Sequence, residues 1–144
     1  MAKISPATKR NLIIGSVLIV LVAGASLLQL TALTQAGLVS KLQSQGAQVA
    51  VQGTLDEPFF SAPSHAVMVN GQQVIVVEYS TPLQRWNDAR QVSHDGKTIG
   101  SAFVSWVGSA HFYQSGRIIA VFIGDDPALK SLLASILGPQ FAGE

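Results

Sequence analysis

The chain has 144 residues, nine Lys/Arg against eight Asp/Glu, a formal net charge of +1 and no cysteine. Zero cysteines exclude disulfides, thiolate chemistry, iron–sulfur clusters and a lipid-modified cysteine, so the fold rests on packing alone. A near-neutral chain without basic runs or interleaved basic and aromatic residues excludes a nucleic-acid partner.

Residues 1–11 are read as a cytoplasmic tail carrying Lys3, Lys9 and Arg10. From Leu12 to Leu33 the 22 residues LIIGSVLIVLVAGASLLQLTAL hold no charge. As a helix they span roughly 33 Å, enough for a hydrocarbon core of about 30 Å. A basic start, an apolar run and the triplet Ala23-Gly24-Ala25 also satisfy a secretory signal, which would release a secreted domain. The run continues past that triplet beyond the usual h-region, which favours a retained anchor in the lipid bilayer. Three cations before the run and only Lys41 close after it leave the N-terminus in the cytoplasm and the rest exported to the periplasm or the cell exterior. Gln29 is the polar outlier within the run, and Gly15, Ser16, Gly24, Ala25 and Ser26 allow close approach of another helix. Gln29, Gly24 and Ser26 are therefore candidate contacts to an integral membrane protein partner, although Gln29 also has the simpler role of reaching headgroups or water.

Residues 34–46 place Leu38, Val39 and Leu42 at helical spacing, so the membrane helix is expected to continue outward as a stalk and to stop at Gly46. Residues 47–144 form one exported domain, beginning with a strand from Gln48 to Leu55. Asp56-Glu57-Pro58-Phe59-Phe60 follows, and the two phenylalanines either plug the edge of the core or stand out as a contact patch.

The chain then repeats at 45 residues: Gly71 falls on Gly116 and Pro82 on Pro127. In the first copy, AVMVNGQQVIVVEYSTP predicts a strand, a type I′ turn at Asn70-Gly71, a strand from Gln73 to Tyr79 and a helix opened by Thr81-Pro82. In the second, HFYQSGRIIAVFIGDDP predicts a strand, Ser115-Gly116, a strand from Arg117 to Ile123 and a helix opened by Asp126-Pro127. Between the copies, Thr98 to Val107 reads as one longer strand. The final helix places Leu129, Leu132, Leu133, Ile136 and Leu137 on one stripe, ended by Gly138-Pro139. The first helix offers Leu83, Trp86, Ala89 and Val92. The expected architecture is α+β: a transmembrane helix, then one antiparallel sheet with two helices on one face and the other face solvated or docked to a partner.

Chemistry-bearing residues are sparse. His65, His94 and His111 have no ligand neighbours at metal-binding spacing. Ser93-His94-Asp95 holds the residue types of a hydrolase triad, but consecutive residues in a turn cannot align in that order. Asp125-Asp126 reads as helix capping, Gly108 and Gly124 as strand-end glycines outside any phosphate-binding motif, and Trp86 and Trp106 as core. No catalytic, cofactor-binding or metal-binding residue is assigned, and no cofactor is expected. An enzyme would need at least two of His65, His94, His111, Glu78 and the Asp residues to meet in one cleft.

From Thr54 to Gly143 the chain resembles a family of small exported bacterial proteins, often lipoprotein-like and of unestablished function. The residues that carry the resemblance are EPFFS, VNG followed by VIVVEY, SHDG, VSWV, HFY, IGDDP and LLASILGPQFAG. It brings no catalytic residues. Many relatives have a lipidation cysteine after a small-residue stretch like LVAGA, where this chain has Ala25, and the resemblance thus implies a transmembrane helix in place of a lipid anchor. Together these features favour a non-catalytic accessory subunit or protein-interaction module of a bacterial membrane complex. The alternative is a membrane-tethered ligand-binding or sensory domain.

Overall fold

The computed structural model describes residues 32–144. The expected tail and the apolar run up to Thr31, with Gly24, Ser26 and Gln29, lie outside the described residues. Among the described residues no helix is long and apolar enough to cross a membrane.

Helix α1 (Gln35–Ser44) leads into strand β1 (Val49–Leu55), the hairpin β2 (Ser64–Val69) and β3 (Gln72–Glu78), and helix α2 (Pro82–Ala89). Two short strands, β4 (Thr98–Ile99) and β5 (Ala102–Phe103), come next. The second hairpin, β6 (Ala110–Ser115) and β7 (Ile118–Ile123), is followed by helix α3 (Pro127–Leu137) and the short strand β8 (Ala142–Gly143). Six strands form one antiparallel sheet in the order β1-β2-β3-β7-β6-β8. The α+β class, the antiparallel sheet and both hairpin-helix units agree with expectation.

The turn and cap chemistry explains why these elements start and stop where they do. Asn70 and Gly71 have φ of 50° and 80°, as a type I′ hairpin requires. Thr81 accepts a hydrogen bond from the Gln84 amide and Asp126 from the Ala128 amide, each with proline at the start of its helix. Gly46 (φ 86°) ends α1.

Four features depart from expectation. The two helices lie on opposite faces of the sheet: α3 covers Val67, Val69, Val74, Val76, Ile118, Ala120 and Phe122, whereas Ala89 of α2 belongs with Ile75, Val77, Tyr79, Phe112, Ile119 and Val121. The reason is parity. Val76 pairs with Ala120, so those two side chains share a face, while the 45-residue offset matches Val76 to Val121, which points the other way. Equivalent positions of the two copies thus face opposite sides, and so do the helices that follow them.

The second face is consequently not open. It is covered by α2, Phe60, Val104 and Ala142, with Phe59, Trp106 and Phe141 packed against them. The segment 34–46 is not a stalk standing off the domain. Thr34 is an extended N-cap (φ −111°, ψ 171°) whose hydroxyl accepts from the Gly37 amide, and Leu38 and Leu42 are buried beside Leu133. A capped start separates this helix from the residues before it, and its apolar pair is spent on the sheet. Finally, the single strand expected over Thr98 to Val107 is broken at Gly100 (φ 61°), whose amide donates to the Gln91 carbonyl; β4 and β5 fold back on each other instead.

Candidate functional site

Among the described residues, the large exposed apolar side chains other than Val51 on β1 fall in two places. One is β5 with the loop that follows it, where the sequence AFVSWVG alternates its side chains between core and solvent. Val104 is buried and Trp106 half-buried, its indole N–H donating to the Gly96 carbonyl at 2.8 Å. The neighbours between and around them point outward, leaving Phe103 79% and Val107 98% exposed. Burying such side chains is worth roughly 25 cal/mol per Å², so two outward apolar residues on one short loop form a surface with affinity for another apolar surface.

This loop walls two clefts. The first, about 280 Å³, is lined by Phe103 and Trp106 together with Asp95, Lys97 and Glu144. The second, about 410 Å³, lies between Val107 and the β3/β7 ends at Gln72, Gln73, Ile75 and Ile123. At the first cleft Lys97 Nζ sits 3.0 Å from Glu144 Oε1, which raises the ammonium pKa. Ser93 Oγ donates to Asp95 Oδ1 at 2.6 Å and the Lys97 amide donates to the same oxygen at 3.0 Å, holding that carboxyl below the usual range. The cleft therefore carries an apolar wall and a fixed charged rim.

The second place is α2, where the stripe Leu83, Trp86, Ala89 is rotated from expectation. Leu83 is 65% and Trp86 48% exposed, while Asp88 and Ala89 are buried. The carboxylate of Asp88 is the cause: its Oδ2 accepts from the Ser61 amide (2.7 Å), the Ser61 hydroxyl (2.8 Å) and the Tyr79 hydroxyl (2.9 Å). Burial, then the bond to Asp88, drives the Tyr79 phenol pKa strongly upward, so it stays protonated and donating. Trp86 is correspondingly not core; the Arg90 guanidinium stacks on its outer face at 4.7 Å.

Phe60 is buried and Phe59 packs edge-on against Trp106 at 6.4 Å. Of the two outcomes the sequence left open, the pair takes the core-edge one; Phe59 and Phe60 do not stand out as a contact patch. Its neighbours Trp106, Phe112 and Phe141 continue the same edge-to-face series.

The other candidates are dispersed. His65 on β2 and His111 on β6 point to the same sheet face but are separated by β3 and β7 and by two residues of register, which places them more than about 14 Å apart at ordinary strand spacing. His111 is buried, with Nδ1 2.9 Å from Gln140 Oε1 and its ring stacked on Phe122. His94 lies in the turn, where Ser93 bonds Asp95 and the Thr98 amide and never meets the imidazole. Asp126 caps α3 and also accepts from Gln72 Nε2 across the fold. Among the described residues, no group of three or more His, Asp and Glu comes together as a metal site would require.

Sequence reasoning missed Asp88 as a buried hub and the clamp at the domain entrance. There, the Leu33 carbonyl accepts from the Arg117 amide at 2.9 Å, the Gln35 amide donates to Glu78, and Arg117 reaches Glu78 Oε1 at 3.6 Å and the Tyr79 carbonyl at 2.8 Å. The clamp carried no local signal because its partners are about 40 to 80 residues apart in sequence. Comparisons of the chain with protein-family models, with curated proteins and with solved structures found no match.

Proposed function

We propose that the chain is a single-pass, membrane-anchored and non-catalytic protein-interaction module, an accessory subunit of a bacterial membrane complex. Its N-terminus is cytoplasmic and its α+β domain is exported, in keeping with its resemblance to small exported, lipoprotein-like proteins. The uncharged run Leu12 to Leu33 supports the anchor. The observation that carries the interaction reading is the loop that holds Phe103 and Val107 out in solvent while Val104 and Trp106 fix its base in the core. A rigid base with an apolar tip suits docking, because little conformational freedom is lost on binding. Gln29, Gly24 and Ser26 are the contacts proposed within the bilayer.

A second reading, a tethered ligand-binding domain, draws on the 280 Å³ cleft beside the same loop, where Trp106 offers an aromatic wall and Lys97 a cation. The two readings separate in one experiment. Membranes are solubilised in mild detergent, and everything that travels with the wild-type chain is compared with a Phe103→Ser/Val107→Ser variant by quantitative mass spectrometry. The interaction reading predicts a defined protein set that is lost from the variant. A wild-type chain recovered alone as a monomer overturns it, and a retained small molecule on that monomer supports the ligand reading. The mass of the N-terminal peptide reports cleavage of the apolar run.

A further inference from the structure

The exposed row on α2 sits at the end of the domain that holds Leu33. Arg85 Nε donates to the Gly116 carbonyl at 3.1 Å, and its Nη1 reaches Gln114. Gly116 lies against Leu33 so closely that a Cβ there would fall 2.4 Å from the Leu33 nitrogen. The next amide, that of Arg117, is bonded to the Leu33 carbonyl. Helix α2 and Leu33 therefore hold the same β6–β7 turn.

Leu83 and Trp86 are three residues apart and Arg90 four further on, so they form one row on the outer side of the helix, opposite Asp88 and Ala89. The polar neighbours on that side, Gln84 and Asn87, are uncharged. Of the acidic groups near this end, Asp88 is buried and Glu78 is paired with Arg117. What remains outward is two apolar side chains with Arg90 beside them, while Arg85 is turned to the β6–β7 turn. An aromatic and an aliphatic side chain with an arginine at their end match the interface of a bilayer that carries anionic lipid.

We infer that helix α2 lies along the membrane surface, with Leu83 and Trp86 in the interfacial layer and Arg90 at the level of the lipid phosphates. This rests on the membrane-anchored reading: the uncharged run read as the anchor ends in sequence at Leu33, whose carbonyl is bonded to the Arg117 amide of the turn that α2 also holds. The helix thereby fixes which side of the domain faces the bilayer, and it leaves the Phe103–Val107 loop as a separate surface.

The test uses the full chain in vesicles of phosphatidylglycerol mixed with phosphatidylcholine brominated high on its acyl chains, compared with unbrominated lipid. Trp86 and Trp106 are the two tryptophans. Trp86 at the interface predicts loss of about half of the tryptophan emission, and in Trp86→Phe the remaining Trp106 signal stays unquenched. Arg90→Glu, an exposed change that leaves the core intact, reduces the quenching. Wild-type emission equal in the two lipids overturns the inference, as it would if a second copy covered the helix. A fluorophore on Val20→Cys, placed in a chain without other cysteines, reports on the anchor. Protection of that fluorophore from dithionite with Trp86 unquenched refutes the helix placement alone. Its full reduction in intact vesicles refutes the anchor and this inference with it.

Discussion

Removing the Asp88 carboxylate tests how α2 is held to the sheet. Its Oδ2 accepts three hydrogen bonds, and their partners differ in what they lose. Ser61 is exposed, so water replaces the carboxylate at its hydroxyl and amide, and each bond contributes about 0.5–1 kcal/mol. The Tyr79 hydroxyl belongs to a buried side chain and has no other partner, so stranding it costs about 1–3 kcal/mol. Asp88→Ala should thus destabilise the domain by about 3 kcal/mol. Tyr79→Phe removes donor and stranded group together and should cost about 1 kcal/mol. The double variant should show a coupling of about 1–2 kcal/mol between the two sites. The assay is urea unfolding of the full chain in detergent, followed by tryptophan emission, since Trp86 on α2 and Trp106 beneath the loop report both sides of the covered face. An Asp88→Ala cost below about 0.5 kcal/mol, or additive effects in the double variant, would refute the hub.

Three further outcomes follow from the same geometry. Gly143→Ala should cost about 2 kcal/mol or more and remove hydrogen-exchange protection from β8, because φ there is 104° and a Cβ would lie 1.9 Å from the Ala110 carbonyl oxygen. Leu133→Ala, on the buried face of α3, should cost about 3 kcal/mol in thermal or urea unfolding, whereas Leu83→Ala should change stability by less than about 0.5 kcal/mol, an inversion of what the expected α2 stripe would give. The Asp126 carboxyl is held below its ordinary value of 3.8 by Gln72 and the Ala128 amide. As pH falls the unfolded chain takes up that proton first, so the stabilisation is complete above about pH 5 and is lost as pH drops through 3.8 towards the folded pKa. Asp126→Asn should accordingly flatten the acid side of the stability profile.

Local chemistry in the sequence located the hairpins and the helix starts, because Asn70-Gly71, Thr81-Pro82 and Asp126-Pro127 act over two to four residues. Sidedness was less legible, although Val74 to Val77 and Ile118 to Phe122 are unbroken apolar runs. Such runs mark strands covered on both faces, and given the weight they carry they exclude a solvated second face. The rotation of α2 was hidden for a different reason. Hydrophobicity alone places Trp86 inward, but Ser61 and Tyr79 supply three donors that pull Asp88 inside, and only the folded chain brings them together. The Phe59-Phe60 pair left two outcomes open in the sequence, and the edge-to-face packing on Trp106 selects the core. The outward set of the loop at Phe103 and Val107 follows from alternation about Val104 and Trp106, a period-two pattern present in the sequence but absorbed into an overlong strand.

The central claim, that the loop after β5 meets a protein partner at the membrane, is tested most directly by crosslinking in native membranes. The chain has no cysteine, so Val107→Cys carries a single photoactivatable maleimide, and Asn87→Cys on α2 serves as the control. A partner at the loop gives one discrete protein adduct from position 107 that is absent from position 87. No adduct at 107, or the same diffuse adducts from both positions, would contradict it.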